Sequence, residues 1–365
     1  MKITLVAAAR PNFMKVAPII EVIKQRSKVG NNIHYRLVHT GQHYDKNMSE
    51  NFFEELGIPE PDVNLNCGGG TQAEQTGNVM IAFEKELQEN PVDLVMVVGD
   101  VNSTMACAIV AKKLNIKVAH VEAGIRSHDL SMPEEINRMV TDAITDYFFT
   151  TSELASHNLK ESGVSDDKIF FVGNVMIDTL LKHRSRFTQP RIWDELGLKG
   201  KEYLVMTLHR PANVDEEEKL KAIINELVEA TEPLPLIFPV HPRTLKILNF
   251  LGIDHPRLHK IEPLGYLEFN YLVERAKAVV TDSGGITEEA SIMNVPCMTL
   301  RDNTERPETI ELGTNELVGT NPKSIKPAIE KIFSGNWKQH AKIPLWDGKT
   351  SERIVEILLK MELSS

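Results

Sequence analysis

The chain has 365 residues, 42% hydrophobic and 25% charged, with a net charge of −10. That length exceeds the ~250–300 residues at which a single core stops growing, so two domains are expected. An acidic chain without an apolar run near ~20 residues argues against a nucleic-acid surface or a membrane helix, and three scattered cysteines (Cys67, Cys107, Cys297) give neither a metal-ligand spacing nor a disulfide framework, which points to a cytoplasmic protein.

The first apolar run, Lys2–Ala7, has strand length; it is too short for a signal peptide. The turn at 8–12 leads into a helix from Phe13 to Gln25, with no G-x-G-x-x-G. Arg10 and Lys15 flank that helix N-terminus, where amide groups and the helix dipole favour anions; ordinary surface cations are the plainer account. A strand Ile33–Thr40 ends in Gly41-Gln42-His43, followed by a helix Asn47–Leu56 and a long helix Gln72–Gln88 capped by Thr71. The strand Asp93–Val98 ends at Gly99-Asp100. Asp100 and Ser103 compete to cap the helix Thr104–Leu114, which leaves Asp100 open to another task. The next strand brings Glu122 to the equivalent position. Two carboxylates at the carboxyl ends of neighbouring parallel strands suit proton transfer.

Pro133-Glu134-Glu135 opens a helix with ordinary helix-start chemistry, which suffices for Glu135. Ile136, Met139, Val140 and Ile144 are its expected buried stripe. Glu134 and Arg138, four apart, share a face, and an exposed ion pair is the plain reading of them. The stretch Arg184–Lys201, rich in Arg and Lys with Pro190, Gly197 and Gly200, is the expected linker. Domains are therefore expected over 1–174 and 175–349, with the last helix, within 350–365, packing on either of them.

In the second half, every predicted strand carries polar groups at its carboxyl end: His209-Arg210, His241, Gly265-Tyr266, Asp282-Ser283-Gly284-Gly285, and Arg301 to Arg306. The Ser-Gly-Gly turn before a helix offers close backbone approach and amide donors to a phosphate. Glu289, one turn inside that helix, suits a ribose diol; a turn and a solvated Glu would look the same.

The motifs ARPNFMKVAP (9–18), HVEAGIRS (120–127), MPEEINR (132–138), LHRPANVD (208–215), TDSGGITEEA (281–290) and RDNTERPE (301–308) together resemble the non-hydrolysing UDP-N-acetylglucosamine 2-epimerases over nearly the whole chain. The resemblance implies two Rossmann-like domains facing across a cleft, the GT-B arrangement of nucleotide-sugar glycosyltransferases, and a homodimer with neither cofactor nor metal. It implies inversion at C2 of a UDP-sugar through elimination of UDP and its re-addition. By motif, Asp100, Glu122, Glu134 and His209 are the implied catalytic groups. Arg10, Lys15, Arg138, Tyr266, Ser283, Gly284, Gly285, Glu289 and Arg306 are the implied substrate-binding groups. Gln42, His43, Arg210 and His241 match an activator site of some members. Two departures from the family pattern are Ala212, where a Glu is frequent, and a shorter loop at Ser127–Met132. A related 2-epimerase of a UDP-diacetamido uronic acid, a glycosyltransferase and a non-catalytic UDP-sugar sensor are the competing readings.

Overall fold

A computed structural model describes residues 1–41, 53 and 55–362. Two units emerge, one from 1–182 with 344–365 and one from 183–343. In the first, the strands are β1 (Lys2–Ala7), β2 (His34–His39), β3 (Val63–Asn64), β4 (Leu94–Val98), β5 (Lys117–Ala123), β6 (Tyr147–Thr150) and β7 (Ile169–Phe171). They form a parallel sheet in the order β3-β2-β1-β4-β5-β6-β7. The second unit holds β8 (Leu204–Thr207), β9 (Leu236–Pro239), β10 (Leu258–Ile261), β11 (Ala278–Thr281), β12 (Cys297–Thr299) and β13 (Asn315–Leu317). Their order is β10-β9-β8-β11-β12-β13, again all parallel.

Both sheets are doubly wound, reversing direction between β1 and β4 and between β8 and β11. Ligands of such sheets sit outside the carboxyl ends of the strands at that reversal. The strands read as unbroken apolar runs because helices cover both sheet faces; all five residues of β4 are buried. The first core joins Val6, Val38, Val95, Val97 and Val118 to Phe83 and Cys107. The second joins Leu204, Met206, Phe238, Val280 and Met298 to Ile224 and Leu227.

The boundaries differ from the sequence expectation. The helix Val175–His183 goes almost wholly with the first unit, as do residues 344–349. The expected linker 184–201 is folded: it contains the helix Arg191–Glu195, whose Trp193 stacks edge-on against Tyr203 and Tyr271. Arg and Lys enrichment there marks a solvated outer face and not an open tether. The helix expected at Asn47–Leu56 lies largely outside the described residues.

The last helix, Thr350–Glu362, lies against the helix Arg10–Lys28, with Arg26 3.1 Å from Glu356. Its start is held by buried Asp178, which accepts from Thr350 N (3.0 Å), Ser351 N (2.7 Å) and Ser351 Oγ (2.7 Å). Burial pushes the Asp178 carboxyl up, against the pull of those donors. Asp178→Ala leaves two amides of the helix start without their acceptor. It should cost about 2 kcal/mol of stability, read as a lowered urea midpoint with unchanged slope.

The helix Pro133–Ile144 is turned over relative to its expected orientation. Glu135, Asn137, Arg138, Thr141 and Asp142 are buried, whereas Ile136 and Met139 are 49% and 47% exposed. A stripe of apolar residues ordinarily decides which face goes inward. Here a network of charged hydrogen bonds decides it instead.

Candidate active site

At the carboxyl edge of the first sheet, Asn12 fastens the turn after β1. Its Oδ1 accepts from Ala8 N (3.2 Å) and Ala9 N (3.0 Å), and its Nδ2 donates to Val98 O (3.2 Å) at the end of β4. This aligns the start of the helix Arg10–Lys28, and one turn along it Lys15 reaches Glu122, with Nζ to Oε2 at 2.6 Å. Both side chains are at least nine-tenths buried. A side chain at Gly99 would meet that ammonium, its Cβ falling 3.1 Å from Lys15 Nζ.

Glu122 is aimed by a β-bulge. Val121 pairs with Phe149 and Ala123 with Thr150, so Glu122 is passed over in the register of β5 and β6. Its φ is 74°, in the left-handed region that costs a non-glycine residue about 1 kcal/mol. Bulges of this kind redirect one side chain out of the sheet's alternation.

Asp100 follows β4 and caps nothing: the helix Asn102–Lys113 has Val101 at its N-cap without a side-chain bond, and Ser103 is bound to Thr40 Oγ1 (2.8 Å). Asp100 Oδ2 instead takes Arg138 Nε (3.0 Å) and Nη2 (2.5 Å). Arg138 turns its other arm to Glu135 (Nη1 to Oε2, 2.7 Å) and not to Glu134. The expected Glu134–Arg138 pair therefore gives way to the three-residue neighbour. Glu134 stands half-buried on the first turn of the same helix. Glu135 does more than helix-start chemistry requires: it is 1% exposed and holds the short loop that precedes the helix. It accepts from Ser127 N (2.9 Å), Ser127 Oγ (3.0 Å) and His128 N (3.0 Å). Burial alone would raise its carboxyl; these donors and Arg138 outweigh burial and lower it.

The second unit has its own cluster. Asp282, fully buried at the end of β11, accepts from His209 N (3.1 Å), Arg210 N (2.9 Å) and Asn213 Nδ2 (3.1 Å), and pairs with His209 Nδ1 at 2.7 Å. Burial opposes ionisation of Asp282, but the His209 contact and the other donors prevail and depress its carboxyl. His209 is thereby oriented with its ring 59% exposed. Ser283 sits at the N-cap of the helix Gly284–Ile292 without spending its hydroxyl on the cap. Within that helix Glu289 is buried, accepts from Tyr266 Oη (2.8 Å), and is pushed by desolvation to a pKa of about 7. Arg306 is 2.6 Å from Glu288 and buried with it, so it braces the helix from behind. Arg210 Nε donates to Asp282 O (3.1 Å), and exposed His241 precedes the helix Pro242–Phe250. Gln42 and His43 lie outside the described residues; Arg10 is the first residue of its helix.

Asn12, Glu135 and Asp282 were missed as site-building residues by sequence reasoning. Asp282 had a signal, since it precedes the Ser-Gly-Gly turn. Asn12 had none beyond its place in a turn. Among the described residues no group of three or more His, Cys, Asp or Glu could hold a metal ion, and no helix is long and apolar enough to cross a membrane.

Two doubly wound parallel-sheet units, each with its polar groups at the carboxyl edge, define the GT-B-like class of nucleotide-sugar proteins. Within it the chain belongs to the UDP-N-acetylglucosamine 2-epimerase family, whose model matches residues 25–359. It is 44% identical to a UDP-N-acetylglucosamine 2-epimerase of Methanocaldococcus jannaschii, over 98% of this chain and 99% of that protein. A solved structure of the M. jannaschii UDP-GlcNAc 2-epimerase, in complex with UDP-GlcNAc and UDP, superposes with a TM-score of 0.88 over 98% of this chain and 99% of that chain, at 44% identity. The chain is also 38% identical to a UDP-2,3-diacetamido-2,3-dideoxy-D-glucuronate 2-epimerase of Pseudomonas aeruginosa, over 99% of this chain and 100% of that protein.

The Lys15–Glu122 pair sets a stability test. Lys15→Met removes the cation facing a buried carboxylate and should destabilise the first unit by about 3 kcal/mol. Adding Glu122→Gln should return most of that loss in urea unfolding, because the charge left behind is then gone. Equal stability of Lys15→Met and wild type would show that the pair carries no such coupling.

Proposed function

We propose that this chain inverts C2 of a UDP-sugar, interconverting UDP-N-acetylglucosamine and UDP-N-acetylmannosamine. The observation that carries the reading is the pair of cation-bound carboxylates, Asp100 and Glu122, at the carboxyl ends of the neighbouring strands β4 and β5. The hydrogen at C2 has no adjacent carbonyl, so removing it directly is unfavourable. Elimination solves this: a carboxylate takes the C2 proton, the C1–O bond breaks, and UDP departs with the electron pair to leave a 2-acetamidoglucal. Re-addition returns a proton to the opposite face of C2 as a phosphate oxygen re-forms the bond to C1. Inversion needs an acid or base on each face, and Asp100, Glu122 and Glu134 are the groups proposed for these tasks. The ion pairs fix Asp100 and Glu122 in place, and Arg138 and Lys15 set positive charge beside them.

In the second unit, the amide-bearing turn Ser283-Gly284-Gly285 and His209 are proposed to hold the pyrophosphate, and Arg10 is proposed as a substrate-binding residue of the first unit. Glu289 and Tyr266 are proposed to take the ribose, and Arg306 to secure that helix through Glu288. Gln42, His43, Arg210 and His241 remain the proposed activator site. We also propose a homodimer; the exposed apolar side chains Leu130, Ile136 and Met139 support it. The relative that acts on a UDP-diacetamido uronate supports a second reading, in which the sugar carries a C6 carboxylate.

Incubating the protein with UDP-N-acetylglucosamine in D₂O should give a mixture of two C2 epimers, both deuterated at C2, by NMR. An inert UDP-N-acetylglucosamine alongside turnover of the diacetamido uronate would favour the second reading, and release of free N-acetylmannosamine would overturn both. Glu122→Gln should abolish epimerisation while UDP still binds.

The raised Glu289 carboxyl gives a pH signature. Folding holds its proton up to about 7, well above the usual carboxylate range. Its contribution to stability is therefore complete in acid and is lost as pH rises towards that value. Ribose binding runs the other way, since only the ionised carboxylate accepts from two hydroxyls. UDP affinity measured by calorimetry should tighten as pH rises through about 7, and Glu289→Gln should flatten that rise.

A further inference from the structure

His120, on β5 two residues before Glu122, is fully buried, and its two ring nitrogens bond to neither the proposed acids nor their cations. Its Nε2 lies 2.8 Å from Gly99 O, the carbonyl that precedes Asp100. Its Nδ1 lies 2.8 Å from Asp142 Oδ1. A carbonyl and a carboxylate only accept, so one ring serves both contacts only with hydrogens on both nitrogens. The second oxygen of Asp142 accepts from Gly124 N (3.1 Å) and faces Arg126 Nη1 at 2.6 Å. Burial would keep Asp142 neutral, but the His120 contact and the Arg126 charge outweigh it and lower its carboxyl.

The backbone held at these points is unusual. Gly99, Glu122 and Gly124 have φ of 66°, 74° and 77°. No side chain fits at Gly124, where a Cβ would lie 2.2 Å from Ala155 O. The segment that aims Glu122 is thus strained and pressed against a helix, and the turn that carries Asp100 bends as sharply. One carboxylate–imidazolium pair reaches both. Asp142 also stands one helical turn beyond Arg138, which binds Asp100 itself, and Asn137 Nδ2 donates to Asp100 O (2.9 Å).

We propose that His120 and Asp142 act as a charged positioning pair that sets the separation of Asp100 and Glu122, by tying the Gly99 carbonyl and the Gly124 amide to one helix. Neither residue exchanges a proton with substrate. The pair keeps two acids in register across C2, where displacement of either slows the chemistry without weakening nucleotide binding. This kinetic consequence rests on the epimerase reading; the pair itself does not.

The test has two arms. In long-range ¹H–¹⁵N spectra of the full chain near neutral pH, with His120 assigned through His120→Gln, both ring nitrogens should be protonated. Asp142→Asn should convert the ring to a neutral tautomer and speed amide exchange at Gly124. A neutral His120 in the wild type, or an unchanged Gly124 amide in Asp142→Asn, would overturn the pair whatever the substrate. In the second arm, Asp142→Asn and His120→Gln should each lower kcat about 100-fold, with KM and UDP affinity within about threefold of wild type. The double variant should be no slower than the slower single one, because the residues act as a unit. Loss of UDP binding in step with kcat would indicate a general folding defect, and kcat within about threefold of wild type would refute the positioning role. An inactive wild type would count against the epimerase reading alone, since the spectra still decide the pair.

Discussion

A buried polar helix face must have every donor and acceptor matched, and the first unit is built around that requirement. The helix Pro133–Ile144 turns Glu135, Asn137, Arg138 and Asp142 inward, and each meets a partner from a different segment. Glu135 shapes the loop before it, Arg138 and Asn137 fix the end of β4, and Asp142 fixes the end of β5. The charges are stabilising only as a set: removal of one leaves another desolvated without compensation. The arrangement is therefore a constraint on position more than a source of stability.

The second unit solves the same problem with a single acid. Asp282 sits at the end of the central strand and gathers the amides of His209 and Arg210, the side chain of Asn213 and the imidazole of His209. The loop after β8 is thereby held against the loop after β11, on the two sides of the sheet's reversal. In both units a buried carboxylate organises the loops that carry the exposed groups. The strand order that creates the reversal supplies the place, and the acid supplies the rigidity.

Much of this was legible in the sequence. Unbroken apolar runs ending in polar clusters announced two parallel sheets with polar carboxyl edges. Asp100 and Glu122 stood out because two acids occupied equivalent positions on successive strand–helix units. The orientation of the helix Pro133–Ile144 was not legible. Its apolar spacing pointed Ile136 and Met139 inward, and periodicity has no means of weighing a stripe of methyl groups against ion pairs such as Asp142–His120 and Arg138–Asp100, whose partners lie 22 and 38 positions apart. The same blindness hid Glu135, whose place on a first helical turn had a sufficient local explanation, and His120, whose partners lie 21 and 22 positions away. Charged groups matched across the fold leave no local signature, whereas those at strand ends do.

The bulge at Glu122 has a consequence for how this site can change over evolutionary time. A left-handed backbone at a side-chain-bearing position costs about 1 kcal/mol, which glycine would avoid. Glycine at this position would shed that strain but leave the buried Lys15 ammonium without its carboxylate, so the two demands oppose each other. Gly124, two residues along, can accept no side chain, so the acid-bearing kink cannot move there to relieve the tension. The segment therefore has few neutral neighbours in sequence space: drift can proceed on the outer face of the adjoining helix while the inner face and the bulge change together or not at all.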